Sequence, residues 1–386
     1  MNPHALFPAG DFARILDGIR RLDDKGRLYE MTFDTDYYPL EGMLTKMMPA
    51  GCSTFVTPDR KSGYIMARNY DYSHFKYADE LDGELTALDM VVRCKNPNAK
   101  YESIGMADAY WLDPVHGTAF EGFFDDGRSD ISPAAILPFL CVDGLNSQGL
   151  TVSIMALNTE NDWEEIEYTD PESLDRLAKK KAILLTEPGQ LPDRLSTKAR
   201  KDSLAINTAD KRTWKNHKAY GVKQDEPGKT PLYHTAMMRR MLDSCADVGE
   251  ALELARNTNV MTLLPGSDYH ILVADAKGQY ALLEWVDNKL NIVDSPCSTN
   301  FYLSREDRFG TGYERFDTIA MAYKRFPKGM TAERAKAYLQ LAAQDRREGT
   351  DPGMTLWSVV YDMQDLTMQL WIDMDYCHSR CFRLQG

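Results

Sequence analysis

"MPAGCSTFVTPDRKSGYIMARNYDY", residues 48–72, holds two strand-like runs joined by a Pro58-to-Gly63 turn, and a Gly-Cys pair stands at the head of the first run. Apolar and β-branched residues on either side of a Pro/Asp/Gly turn predict an antiparallel hairpin. Folding it symmetrically sets Pro58 opposite Gly63, Ser53 opposite Arg68 and Cys52 beside Asn69, with a slip of two residues open. In either register Arg68 and Asp71 end near Cys52. A guanidinium beside a thiol favours the thiolate, the nucleophilic form, and a carboxylate orients a nearby amine. That amine exists only if the Gly51–Cys52 bond is broken. The freed α-amino group, with an unperturbed pKa of about 7.7–8.0, then serves as the cysteine's own general base. Gly51 suits such a cleavage because glycine admits the strained backbone that attack on the preceding carbonyl requires. An ordinary reading competes: Cys52 a small buried hydrophobe, Arg68 a surface ion pair, Gly51 a turn residue.

Outward from this hairpin, further hairpins are predicted at 137–157 around "DGLNSQG", 269–286 around "DAKG" and 355–373 around "DMQD". Helical periodicity falls at 11–22, then in two pairs, 232–245 with 247–257 and 314–326 with 331–345. Residues 27–38 alternate as a strand, so the segment before Cys52 has structure of its own. Strands in runs and helices in pairs imply an α+β fold in which helical layers cover antiparallel sheets. The stretch 162–230 is polar, Lys-rich and poor in aliphatics. It reads as an inserted surface excursion, with a lid or docking arm as the functional alternative.

Composition narrows the class. An apolar share of 43 % with 20 Tyr, 14 Phe and 6 Trp supports a large core in this 386-residue chain. The net charge of −13 argues against nucleic acid or anionic membrane as partners. No apolar run approaches the ~18 residues of a spanning helix, and the N-terminal stretch lacks the layout of a secretory signal. Seven scattered cysteines suit free thiols in a reducing compartment, so a cytoplasmic protein is expected. Cys377 and Cys381 in "CHSRC" have no second ligand cluster to complete a metal site, and there is no phosphate-binding glycine loop, so no cofactor or metal is expected. His74 and His270 lie on strand-like segments and leave a Cys-His dyad open, since such partners meet only in space.

"CSTF" and "ARNYDY", followed by "VDGLNSQGLTVSIMALNTEN", "STNFYLS" and "GYERFDTI", resemble the choloylglycine hydrolase group of N-terminal nucleophile (Ntn) hydrolases, which act on linear amide C–N bonds. That group includes bile salt hydrolases, penicillin V acylases and, more distantly, acid ceramidase and N-acylethanolamine acid amidase. The resemblance runs from about residue 27 to the C-terminus, apart from the 162–230 excursion. It implies a four-layer αββα sandwich of two antiparallel sheets, with 1–51 as a retained propeptide segment and 52–386 as the hydrolase domain. It implies an amidase working through a Cys52 thioester on a small-molecule amide, after autocatalytic cleavage of Gly51–Cys52. The site residues carried over are Cys52, Arg68, Asp71, Asn158, Asn300 and Arg315, with Asn158 donating to the oxyanion. Many members expose the cysteine by losing only a methionine or a signal peptide, whereas 51 residues precede it here; "GRLYEMTFDTDYYPLEGML" is similar to the retained front segment of the ceramidase-like branch. An acyltransferase using the same thioester, and an unprocessed binding homologue, are the rival readings. Homo-oligomerisation is left open.

Overall fold

The computed structural model describes residues 9–24, 26–37, 51–59, 61, 63–72, 88–109, 132–158, 221–262, 267–306, 310–344 and 354–384. Two sheets carry the fold. The large one has nine strands, in spatial order Arg20–Arg21, Leu28–Phe33, Asp89–Cys94, Ser103–Asp108, Cys141–Asn146, Thr151–Asn158, Ser267–Ala274, Tyr280–Val286 and Lys289–Val293. The small one has six: Cys297–Ser298, Gly51–Asp59, Gly63–Tyr72, Met354–Asp362, Thr367–Ile372 and Arg380–Arg383. Within these two sheets every pairing is antiparallel except that of Leu28–Phe33 with Asp89–Cys94, and a separate two-stranded pair, Thr230–Tyr233 with Thr258–Met261, is parallel. All four predicted hairpins are present, and the predicted helices appear as Ala9–Asp17, His234–Ser244, Val248–Arg256, Tyr313–Arg325 and Ala332–Ala342.

Side-chain alternation builds the layers. Even-numbered residues of the first hairpin, Cys52, Val56, Met66 and Tyr70, join the core shared with the large sheet. Odd-numbered Phe55, Ile65 and Ala67 pack instead against Ile319, Ala322, Tyr338 and Leu339 of the helices Tyr313–Arg325 and Ala332–Ala342. On the far side, Met237, Met238, Met241 and Leu242 of helix His234–Ser244 cover the strands Cys141–Asn146 and Thr151–Asn158. The order helix, sheet, sheet, helix is the expected αββα sandwich.

The hairpin register departs from the symmetric expectation by one residue. Asp59 faces Gly63 and Pro58 faces Tyr64, so Thr54, not Ser53, stands opposite Arg68, and Cys52 stands opposite Tyr70. This one-residue shift is what puts Cys52 and Arg68 on the same, inward face, since strand side chains alternate with a period of two and the symmetric register would set them on opposite faces.

Two boundaries also differ from the sequence reading. The helix expected over 11–22 ends at Asp17, and Arg20–Arg21 continue as a short edge strand beside Tyr29 and Glu30. Residues 221–230, grouped by composition with the polar excursion, belong to the body. Val222 and Gln224 are buried, and the Gln224 Oε1 accepts from Val260 N at 3.0 Å and Trp285 Nε1 at 3.2 Å. The remainder of that stretch lies outside the described residues.

The segment before Cys52 is part of the architecture. Leu28, Tyr29, Met31 and Phe33 are fully buried in the large sheet, and Glu30 receives hydrogen bonds from Arg20 and Arg93. Phe33→Ala should therefore destabilise the whole chain by about 3–5 kcal/mol, measured as a shift of the denaturant midpoint.

Candidate active site

Cys52 enters the small sheet as its second strand residue, with Gly51 opposite Asp71. Gly51 is not in the left-handed region, so the expected backbone strain is not its reason for being glycine. Space is the reason: a Cβ there would lie 2.5 Å from the Gln344 Oε1 and 2.9 Å from the Asp71 Cβ.

The edge strand Cys297–Ser298 pairs with Phe55 and Thr54. Continuing that register by two residues brings Asn300 opposite Cys52. The Cys52 peptide N–H donates to the Asn300 Oδ1 at 2.8 Å, and the Asn300 Nδ2 donates to the Ala156 carbonyl at 2.6 Å. Arg315, in the first turn of helix Tyr313–Arg325, closes the group. Its Nη2 donates to the same Asn300 Oδ1 at 2.8 Å, and its Nη1 to the Cys52 carbonyl at 2.5 Å, Ser53 Oγ at 3.2 Å and Asp71 Oδ2 at 3.1 Å. Gly312, at φ 86°, makes room for this arginine, since a Cβ would approach its Nη2 to 2.6 Å. The other Asp71 oxygen accepts from Thr355 Oγ1 at 2.5 Å.

On the inward face, the Arg68 Nη2 donates to the Cys52 Sγ at 3.2 Å. Arg68 is itself fully buried and bonded to the Val142 carbonyl and to Ser153 Oγ, with Asp143 Oδ2 at 3.3 Å from its Nε. Asp143 also accepts from Trp357 and Tyr361 of the opposite sheet, and Thr54 Oγ1 meets Ser153 Oγ at 2.9 Å. A polar seam thus crosses between the sheets directly beneath the cysteine. Burial pushes the Cys52 thiol above its ordinary value, against the lowering influence of Arg68. Arg68 acts in the expected direction, toward the thiolate, but desolvation of the charged form outweighs one guanidinium. Burial likewise raises Asp143, opposed by Arg68.

Five of the six sequence-selected residues thus converge: Cys52, Arg68, Asp71, Asn300 and Arg315. Asn158 ends its strand opposite Ser267, two residues beyond the Ala156 carbonyl that holds Asn300; its side chain lies outside the description. His74 falls outside the described residues. Both nitrogens of His270 are directed at Glu284, Ser298 and Thr299, so among the described residues no Cys-His dyad forms. Of the supporting residues, Asp143 lies within the quoted "VDGLN" stretch and Ser153 shortly after it. Thr355 carries no sequence signal, reaching Asp71 across 284 positions. The seven cysteines are free, with Cys377 and Cys381 exposed, and no cluster of three or more metal-ligating side chains occurs among the described residues. Among those residues no helix is long and apolar enough to cross a membrane.

No protein-family model matches the chain, and no curated protein matches it. Among solved structures, penicillin V acylase from Agrobacterium tumefaciens is similar with a TM-score of 0.43 and 14 % identity, covering 83 % of each chain. Two variants of conjugated bile acid hydrolase from Clostridium perfringens are similar with TM-scores of 0.45 and 0.46 and 12 % identity, covering 86 % of this chain and 97 % of theirs. Penicillin V acylase and bile acid hydrolase are the kinds of protein whose motifs the sequence resembles. At these scores the likeness carries nothing about the site, which rests on its own geometry.

Two outcomes follow from that geometry. Asp143→Ala leaves the buried Arg68 without its counter-ion and should cost about 3–5 kcal/mol in chemical denaturation. Asp268, one ladder step from Asn158 and with Tyr302 OH at 3.4 Å, is raised by burial to about 6 from 3.8. A carboxyl raised on folding contributes stability at acid pH that is lost as the pH rises through that window. Asp268→Asn should therefore gain stability relative to the parent between about pH 4 and pH 6, seen as a flatter dependence of Tm on pH.

Proposed function

We propose that the chain is an N-terminal-nucleophile amidase that hydrolyses a linear, non-peptide C–N amide through a thioester on Cys52, once the Gly51–Cys52 bond has been cleaved. The observation that carries this reading is the acceptor aimed at the Cys52 nitrogen. Asn300 Oδ1, 2.8 Å away and braced by Arg315, would orient the α-amino group that cleavage frees. The buried thiol makes such a base necessary, because its raised pKa leaves little thiolate at neutral pH.

In the proposed cycle the Cys52 sulfur attacks the substrate carbonyl as its proton passes to the α-amino group. That group returns the proton to the leaving amine, and the C–N bond breaks to give the thioester. Water, deprotonated by the same amine, then attacks the thioester, releasing the acid and restoring the thiol. Arg68 holds the sulfur and favours its charged form during attack. Asp71 and Arg315 fix the strand head, and Asn158 is assigned to the oxyanion from the resemblance, a donor whose loss typically costs about 100- to 1000-fold in turnover. The substrate is a small-molecule amide, and the free thiols fit a cytoplasmic setting.

Cleavage would leave residues 1–51 attached, because Leu28–Phe33 is a buried strand hydrogen-bonded within the large sheet. Active protein should give two fragments on a denaturing gel, the larger beginning "CSTFV" on Edman sequencing, that co-elute under native conditions. Cys52→Ala should remain uncleaved and lose amide hydrolysis in a panel of N-acyl substrates. Full activity from an intact chain, or from Cys52→Ala, would sink the mechanism.

A further inference from the structure

His270, fully buried, lies beside Glu284 and beneath the segment that carries Asn300. Its Nδ1 stands 3.1 Å from Glu284 Oε1 and its Nε2 stands 2.6 Å from the Thr299 carbonyl oxygen. Ser298 Oγ lies further off, at 3.4 and 3.2 Å from the two nitrogens. A carbonyl oxygen only accepts a hydrogen bond, and so does an ionised carboxylate. Both Glu284 oxygens serve as acceptors independently of His270, Oε1 from Leu303 N at 2.9 Å and Oε2 from Ser304 N at 2.8 Å, as a carboxylate does. Burial pushes the carboxyl up, but the hydrogen bond and charge of His270, together with the bonds from Leu303 and Ser304, hold it below the usual range. An acceptor thus faces each ring nitrogen, the arrangement that a ring carrying hydrogen on both nitrogens satisfies. A neutral ring would set one lone pair against another.

The two charges bracket one short stretch of chain. The imidazole end holds the Thr299 carbonyl, and the carboxylate end takes the Leu303 and Ser304 N–H groups at 2.9 and 2.8 Å. Thr299 Oγ1 also donates to the Gly312 carbonyl at 3.0 Å, just before the helix of Arg315. Asn300 is the residue between these anchors, and its amide is set between Cys52 N and the Ala156 carbonyl.

We propose that His270, as an imidazolium paired with Glu284, is a positioning residue that fixes the Asn300 side-chain amide against the Cys52 nitrogen. The role in turnover rests on the amidase reading; the protonation state and the hold on Asn300 do not. A desolvated charge pair suits this task because charge-assisted hydrogen bonds are short and directional, and because removing one partner leaves the other buried and unpaired.

The test uses the full chain labelled with nitrogen-15. At neutral pH the His270 ring, assigned by its disappearance in His270→Gln, should show both nitrogens protonated. His270→Gln keeps a donor but no charge, and should speed exchange of the Asn300 Nδ2 protons at least about tenfold, since the bond to Ala156 is no longer held. If that protein does not fold, Glu284→Gln provides the second variant. It can still accept from Leu303 or Ser304, and should give faster Asn300 exchange together with a His270 ring that has lost one proton. In protein with amidase activity, either variant should lower kcat by about 100-fold with KM nearly unchanged. A neutral His270 ring in the parent protein would overturn the proposal. So would unchanged Asn300 exchange in a folded variant, or a loss of stability with kcat intact. Absence of any amidase activity in the parent would count against the functional reading alone, because the ring and exchange measurements need no turnover.

Discussion

In the hairpin from Gly51 to Tyr72 a single constraint directs every side chain: Asp59 pairs with Gly63, and therefore Cys52 pairs with Tyr70. With this register the thiol and the Arg68 guanidinium share the inward face, over the polar seam of Asp143 and Ser153. Gly51 and Asp71 take the other face, where Arg315 and Thr355 reach the carboxylate. A slip of one residue would turn one strand over relative to the other and separate these sets. The two-sided burial of the hairpin, large sheet on one face and helices on the other, is what makes the register specific.

The head of that hairpin is held by short-range hydrogen bonding from three distant parts of the chain. Asn300 arrives through a two-residue edge strand, Arg315 through the first turn of a helix, and Ala156 through the large sheet. Asn300 and Arg315 bond the nitrogen and the carbonyl of Cys52, Ala156 anchors Asn300, and Arg68 bonds the sulfur, so Cys52 is fixed at all three atoms. This arrangement answers the difficulty that burial creates. A desolvated thiol ionises reluctantly, and one neighbouring guanidinium does not reverse that. In the proposed cycle a base delivered by the same residue removes the need for a standing thiolate.

Much of this was legible in the residues. The turn at 58–63 and the alternation around it foretell the hairpin, and the paired helical patterns foretell the covering layers, because hydrophobic periodicity follows from where each face is buried. Cys52, Arg68 and Asp71 could be grouped from the turn alone, since a hairpin brings its two ends together. Asn300 and Arg315 were reached only through motif resemblance, as no local pattern links positions about 250 apart. The burial of Val222 and Gln224 was not legible, because a polar composition hides the few residues that pack.

The sequence by itself determined the four hairpins, the strand near 27–38, the helices and their pairing, the antiparallel class and the identity of the residues at the hairpin head. These depend on local sterics and on the period of apolar side chains. Only the tertiary structure decided the register, the balance that raises the thiol, the steric need for glycine at 51 and the buried His270–Glu284 pair. Those properties depend on desolvation and on distances between residues far apart in the chain, neither of which exists until the two sheets close on each other.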